Sequence, residues 1–152
     1  MHFSFYIFGQ TFNLIMEKIG FRLPLLLSIG LYFGSMVLPV YSSSDFPGYM
    51  ALLAGWMVGL NDIPTAISWF ANVSFFFAVV MILKRKNPKP FSAFLLSIIS
   101  IVLGCAVLAA GDTFSVGSSQ FAKNAGMGTG FYVWMASFVL LLFASYIKFK
   151  KR

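Results

Sequence analysis

The stretch FLLSIISIVLGCAVLAAG, residues 94–111, holds no charged side chain and is apolar all the way round any helix it forms. A segment of this kind has one stable setting, a helix covered on every side by lipid or by other helices. In hydrocarbon only an internal ladder satisfies the peptide N–H and C=O groups. The rest of the 152-residue chain keeps the same character: 59% of it is hydrophobic and 10% charged. Soluble domains carry about 25% charged residues. A water-soluble fold built from this composition would lack the polar surface to cover itself, so the sequence specifies an integral membrane protein.

Four stretches have the length of a transmembrane helix: residues 23–41, 64–83, 91–111 and 130–149. The second begins with Pro64, suited to a first helical turn, and ends against Lys84, Arg85 and Lys86. The run from Tyr49 to Leu60 precedes it across a turn holding Asn61 and Asp62. At 1.5 Å per residue that run rises only about 18 Å, too little to cross a hydrocarbon layer of about 30 Å. It is expected as a short helix on the outer side, lying in the interface or dipping in and returning. The opening run, residues 2–16, is shorter than a span and its charges, Glu17, Lys18 and Arg22, follow it. That order is the reverse of a secretory signal, so an interfacial helix is expected there.

Charge placement checks the count independently. Four spans with both termini on one side put Lys18, Arg22, Lys84, Arg85, Lys86, Lys89, Lys148, Lys150, Lys151 and Arg152 on that side. Lys123 alone falls on the other, with Asp45, Asp62 and Asp112. The basic side of a multi-pass protein is the cytoplasmic one. A fifth span at 49–60 would destroy the segregation.

The expected fold is therefore an all-α integral membrane protein: one domain, an antiparallel bundle of four transmembrane helices. An N-terminal interfacial helix precedes it, and a short outer-side helix lies between the first two spans. KRKNPKP joins its two hairpins, and residues 112–129 form a long glycine-rich outer connection. Small residues mark the expected helix contacts: Gly30 with Gly34, Gly55 with Gly59, Ser97 with Ser100 and Gly104, and Ala136, Ser137, Ala144 and Ser145. Tyr41, Trp56, Trp69, Tyr132 and Trp134 gather near the outer boundary and Tyr146 near the inner one, as belt residues do.

Catalytic patterns are missing from the linear sequence. One cysteine, Cys105, excludes an internal disulfide, and one histidine, His2, has no partner in sequence. No acidic residue lies well inside a span, and the serines have no evident base, so neither an enzyme nor a bound cofactor or metal is expected. Three polar positions stand out as functional candidates: Asn61, Asp62 and Asn72. Asn72 lies about eight residues into the second span and needs a hydrogen-bond partner, either on another helix or in a ligand. Asp62 caps the helix that follows it or contributes to an acidic outer rim. Nucleic-acid binding is not expected, because the positive-inside rule already accounts for the basic clusters.

The pieces GWMVGL, AISWFAN and GFYVWMASFVLLLFA, in that order within residues 48–147, resemble a pattern found in small bacterial inner-membrane proteins of four helices. The resemblance implies a bacterial source and a four-span fold, and it carries over no activity and no site residue. In size and helix number the chain is also similar to membrane-resident immunity proteins. The expected function is non-enzymatic: an accessory, scaffold or immunity protein of the bacterial inner membrane. It would act on another membrane protein or a toxin and itself form part of a complex or homo-oligomer. The alternative is an oligomeric channel or carrier for a small solute or ion.

Overall fold

The structure, a computed structural model, describes residues 20–42, 47–58, 63–84, 89–109, 113–116, 119–122 and 126–150. Among the described residues five helices follow one another: α1 (Arg22–Ser35), α2 (Gly48–Val58), α3 (Ile63–Leu83), α4 (Pro90–Cys105) and α5 (Thr129–Lys150). A 3-10 turn (Ala106–Ala109) prolongs α4, and two short strands, β1 (Thr113–Val116) and β2 (Ser119–Ala122), pair as an antiparallel hairpin. That hairpin falls in the segment expected as a long glycine-rich outer connection.

Among the described residues three helices are long and apolar enough to cross a membrane: Ile63–Leu83, Pro90–Ala109 and Thr129–Lys150. Less than half of each is buried within the chain, at 39%, 28% and 44%. The outward faces hold Phe70, Phe77, Val80, Val102 and Val139, each more than half exposed. Apolar surface on this scale needs lipid to cover it. The chain is therefore a bundle of apolar helices fitted to a membrane.

The first expected span is corrected. It was placed at 23–41, but α1 ends at Ser35, and its 14 residues rise about 21 Å. Pro39 has no N–H to continue the ladder and disfavours the helical conformation in the residue before it. The chain tightens through i→i−3 bonds at Met36, Val37 and Leu38 and then runs extended. Both sides of that extended strap are paired. Met36 and Leu38 carbonyls accept from the N–H groups of Tyr49 and Gly48 at the start of α2, while Pro39 and Val40 carbonyls accept from Gly130 and Gly128 beside α5. A Cβ at Gly48 would lie 2.4 Å from the Ser35 carbonyl oxygen, and one at Gly128 would lie 2.4 Å from that of Pro39. Glycine is what lets three backbones meet there.

Helix directions follow from end-to-end contacts. The strap that ends α1 meets the start of α5, whereas Phe21, just before α1, lies under the Lys148 ammonium at 4.7 Å from its ring centroid. Lys148 Nζ also donates to the Ile82 carbonyl near the end of α3. Ser68 and Ser74 of α3 reach the Gly104 and Leu96 carbonyls of α4 in antiparallel order. The helices α1, α3, α4 and α5 thus alternate in direction, with α2 set against α3 at the strap end.

The seams are partly as expected. Ser97, Ser100, Gly104, Ser137, Ala144 and Ser145 are buried, and a Cβ at Gly55 would meet Trp69 Cδ1 at 2.8 Å. Ala136, by contrast, is exposed. Gly30 and Gly34 are also corrected: both are exposed, and an added Cβ at either finds nothing within 4 Å. The α1 face that enters the bundle is the one with Leu25, Ser28, Tyr32 and Ser35, spaced at three and four residues. The expected N-terminal interfacial helix lies outside the described residues.

Candidate ligand cavity

Asn72 sits on the buried face of α3, 7% exposed, in a helix whose neighbours on that face are Ser68, Ala71 and Phe75. Its Oδ1 accepts two hydrogen bonds, from Tyr32 Oη of α1 at 2.8 Å and from Trp134 Nε1 of α5 at 3.0 Å. Because an indole N–H only donates, the atom facing Trp134 must be the amide oxygen, which fixes the orientation of the side chain. Its Nδ2 donates to the Trp69 carbonyl at 3.0 Å, three residues back on its own helix. Three helices are joined at one amide. The partner that a mid-span asparagine requires is supplied by Tyr32 and Trp134.

Other polar bonds hold the neighbouring pairs. Ser28 Oγ donates to the Ser137 carbonyl at 2.7 Å, Ser74 Oγ to that of Leu96 at 2.9 Å, and Ser97 and Ser145 hydroxyls lie 3.3 Å apart. Trp69 Nε1 donates to the Leu52 carbonyl at 2.7 Å, fastening α2 against α3. In lipid such bonds contribute about 0.6 kcal/mol each on average, alongside close packing.

Above Asn72, the end of α1, the strap, α2, α3, α5 and the 3-10 turn line a partly open cavity of about 90 Å³. Trp69, Trp134, Phe131, Tyr41, Leu52 and Val107 supply most of its apolar wall. Thr65, Ser68 and Asn72 supply its polar side chains from α3. These three positions fall at intervals of three and four residues, so they form one stripe along the helix. Among the described residues no acidic or basic side chain lines the space.

Of the three candidates from the sequence, the structure brings Asn72 to this cavity, while Asn61 and Asp62 lie outside the described residues. Trp69 and Trp134, read as boundary anchors, instead turn their N–H groups into the bundle. Tyr32 was not singled out from the sequence. The signal available was one phenol in the middle of an apolar run, which needs a partner as Asn72 does. Among the described residues no three His, Cys, Asp or Glu side chains come together as metal ligands do.

Comparison with protein families, with curated proteins and with solved structures found no match to this chain.

Proposed function

We propose that the chain is a four-pass protein of the bacterial inner membrane that acts without catalysis, by engaging another membrane protein or a toxin on the outer side. Charge placement supports the orientation. Arg22, Lys84, Lys89, Lys148 and Lys150 are the basic side chains among the described residues, and all lie at the end of the bundle away from the strap. The positive-inside rule makes that end cytoplasmic, along with both termini. In this reading α1 crosses together with the residues that flank it, and α2 lies in the outer interface beside the strap.

The observation that carries the interaction is the hairpin. β1 and β2 pair with each other, and among the described residues neither outer edge of this two-stranded ribbon pairs with a further strand. Such an edge is a template for an incoming strand, and strand addition is a common mode of recognition. The test replaces residues 113–122 with a glycine-serine linker of equal length and compares cross-linked complexes from native membranes. A protein held by the wild-type chain and lost by the variant supports the proposal. Complexes that are identical in both, or absent from both, end it.

A second reading, an oligomeric channel or carrier for a small solute or ion, is favoured by the cavity beside Asn72. Reconstituted protein that moves no solute or ion across a vesicle membrane removes it.

A further inference from the structure

Asn72 has one hydrogen-bonding position unused. Its amide offers two acceptor sites and two N–H donors. Tyr32 and Trp134 take both acceptor sites, and the Trp69 carbonyl takes one donor. The second Nδ2–H belongs to a side chain that is 7% exposed and lines the cavity. A buried donor left without an acceptor keeps its desolvation penalty, so this position favours whatever oxygen enters.

Ser68 stands one turn away on the same stripe. Its hydroxyl lies 3.5 Å from the Gly104 carbonyl, at the long limit for such a bond, so it is free to turn to a better acceptor at little cost. The walls around these two donors are held in place. The Trp69 indole is tied to Leu52 and the Trp134 indole to Asn72. A site whose aromatic side chains are already fixed loses little freedom on binding.

We propose that this cavity binds a small uncharged molecule with an oxygen acceptor on an apolar body. The oxygen takes the free N–H of Asn72, with Ser68 as its second donor, and the apolar part lies among Trp69, Trp134 and Phe131. Among the described residues the wall carries no charged side chain, and this favours an uncharged ligand over an ionised one, whose charge those residues would leave unpaired. The space of about 90 Å³ admits several waters or one compact molecule, and excludes a bulky one. Such an oxygen has two sources, a compact lipid-soluble compound free in the bilayer or the ester end of one acyl chain, which alone enters while the rest of its lipid stays outside the cavity. This site does not depend on the hairpin or on the partner proposed above.

The test uses full-length protein in nanodiscs and three probes of one chain length: 2-heptanone, heptane and heptanoate. Thermal unfolding and tryptophan fluorescence read the binding. The expected result is a saturable response to 2-heptanone, at least tenfold weaker for the other two. Ala51 lines the cavity from α2 and takes no part in the Asn72 network, so Ala51→Phe fills the space directly. It should abolish the saturable response without lowering the unfolding midpoint. Should that variant fail to fold, Ala51→Leu is the milder filling and should weaken the response at least fivefold. Mass spectrometry of solvent-released lipid separates the sources. An ester lipid retained at one per chain and displaced by 2-heptanone assigns the site to the bilayer, and its absence assigns it to a free compound. Equal responses to heptane and 2-heptanone, no saturable response at all, or full binding by the filled variant would overturn the proposal.

Discussion

The Tyr32 hydroxyl donates to Asn72 Oδ1 at 2.8 Å while the Tyr32 ring stacks on Phe75, with centroids 4.5 Å apart and planes 11° from parallel. One side chain of α1 thus grips α3 twice, once through a polar bond and once through ring contact one turn away. The same amide oxygen holds Trp134, whose ring meets Phe138 at 4.6 Å in an edge arrangement. The interior is organised around Asn72, and its neighbours derive their fixed positions from it.

Replacing that centre should cost more than removing one spoke. Asn72→Leu leaves Tyr32 Oη and Trp134 Nε1 without their acceptor and is expected to destabilise the bundle by about 2 kcal/mol. Tyr32→Phe keeps the ring contact and leaves Trp134 bonded, so its loss is about 0.6 kcal/mol. Reversible unfolding in mixed micelles measures both. Equal losses for the two variants would show that Asn72 is not the centre.

The glycines divide into two groups with opposite expected outcomes. Gly48→Ala and Gly128→Ala drive a Cβ into backbone carbonyls only 2.4 Å away and should destabilise by about 1–3 kcal/mol. Gly30→Ala and Gly34→Ala meet nothing within 4 Å and should gain about 0.5–1 kcal/mol from helix propensity. The same unfolding assay reads all four. A loss at Gly30 or Gly34 would reveal a helix packed against that face in the assembled protein.

Orientation is open to labelling. In a background with Cys105→Ala, cysteines placed at the exposed positions Lys84 and Lys89 should react only with a reagent that reaches the cytoplasm. One placed at Ser42, exposed in the strap, should react with an impermeant reagent from outside. Reaction of all three from the same side contradicts the alternating directions of α1 and α3.

Lys148 joins three elements at the basic end, through the Ile82 carbonyl and the Phe21 ring. It caps a carbonyl in the last turn of α3, one that the helix itself leaves without a donor. Lys148→Met should cost about 1 kcal/mol, and Phe21→Leu should cost less in that background than in the wild type. A double-mutant cycle with no coupling would assign the Phe21 contact to packing alone.

Periodicity and length were enough to locate α3, α4 and α5 within a residue or two at their starts, because apolar runs of about 20 residues have few other stable forms. The sequence also carried the segregation of charge, which needs no folding to be read. It failed at the end of α1. Hydropathy runs on smoothly through residues 36–41 and masks the stop signal of Pro39, while the strap that follows is held by carbonyls pairing with Gly48 nearby and with Gly128 and Gly130 far along the chain. The Gly30 and Gly34 pair failed for a related reason. Spacing shows that two small residues share a face, and not whether that face meets another helix of the chain.

Composition and charge order by themselves determined that this chain is a helical membrane protein and which end of it is basic. Both follow from the cost of placing charge or bare peptide groups in hydrocarbon, and that cost is local to each segment. Only the tertiary structure decided that Asn72 joins Tyr32 to Trp134, that the indoles of Trp69 and Trp134 turn inward, and that a cavity lies beside them. Those facts depend on how the helices rotate and cross, which many small contacts between distant residues settle together.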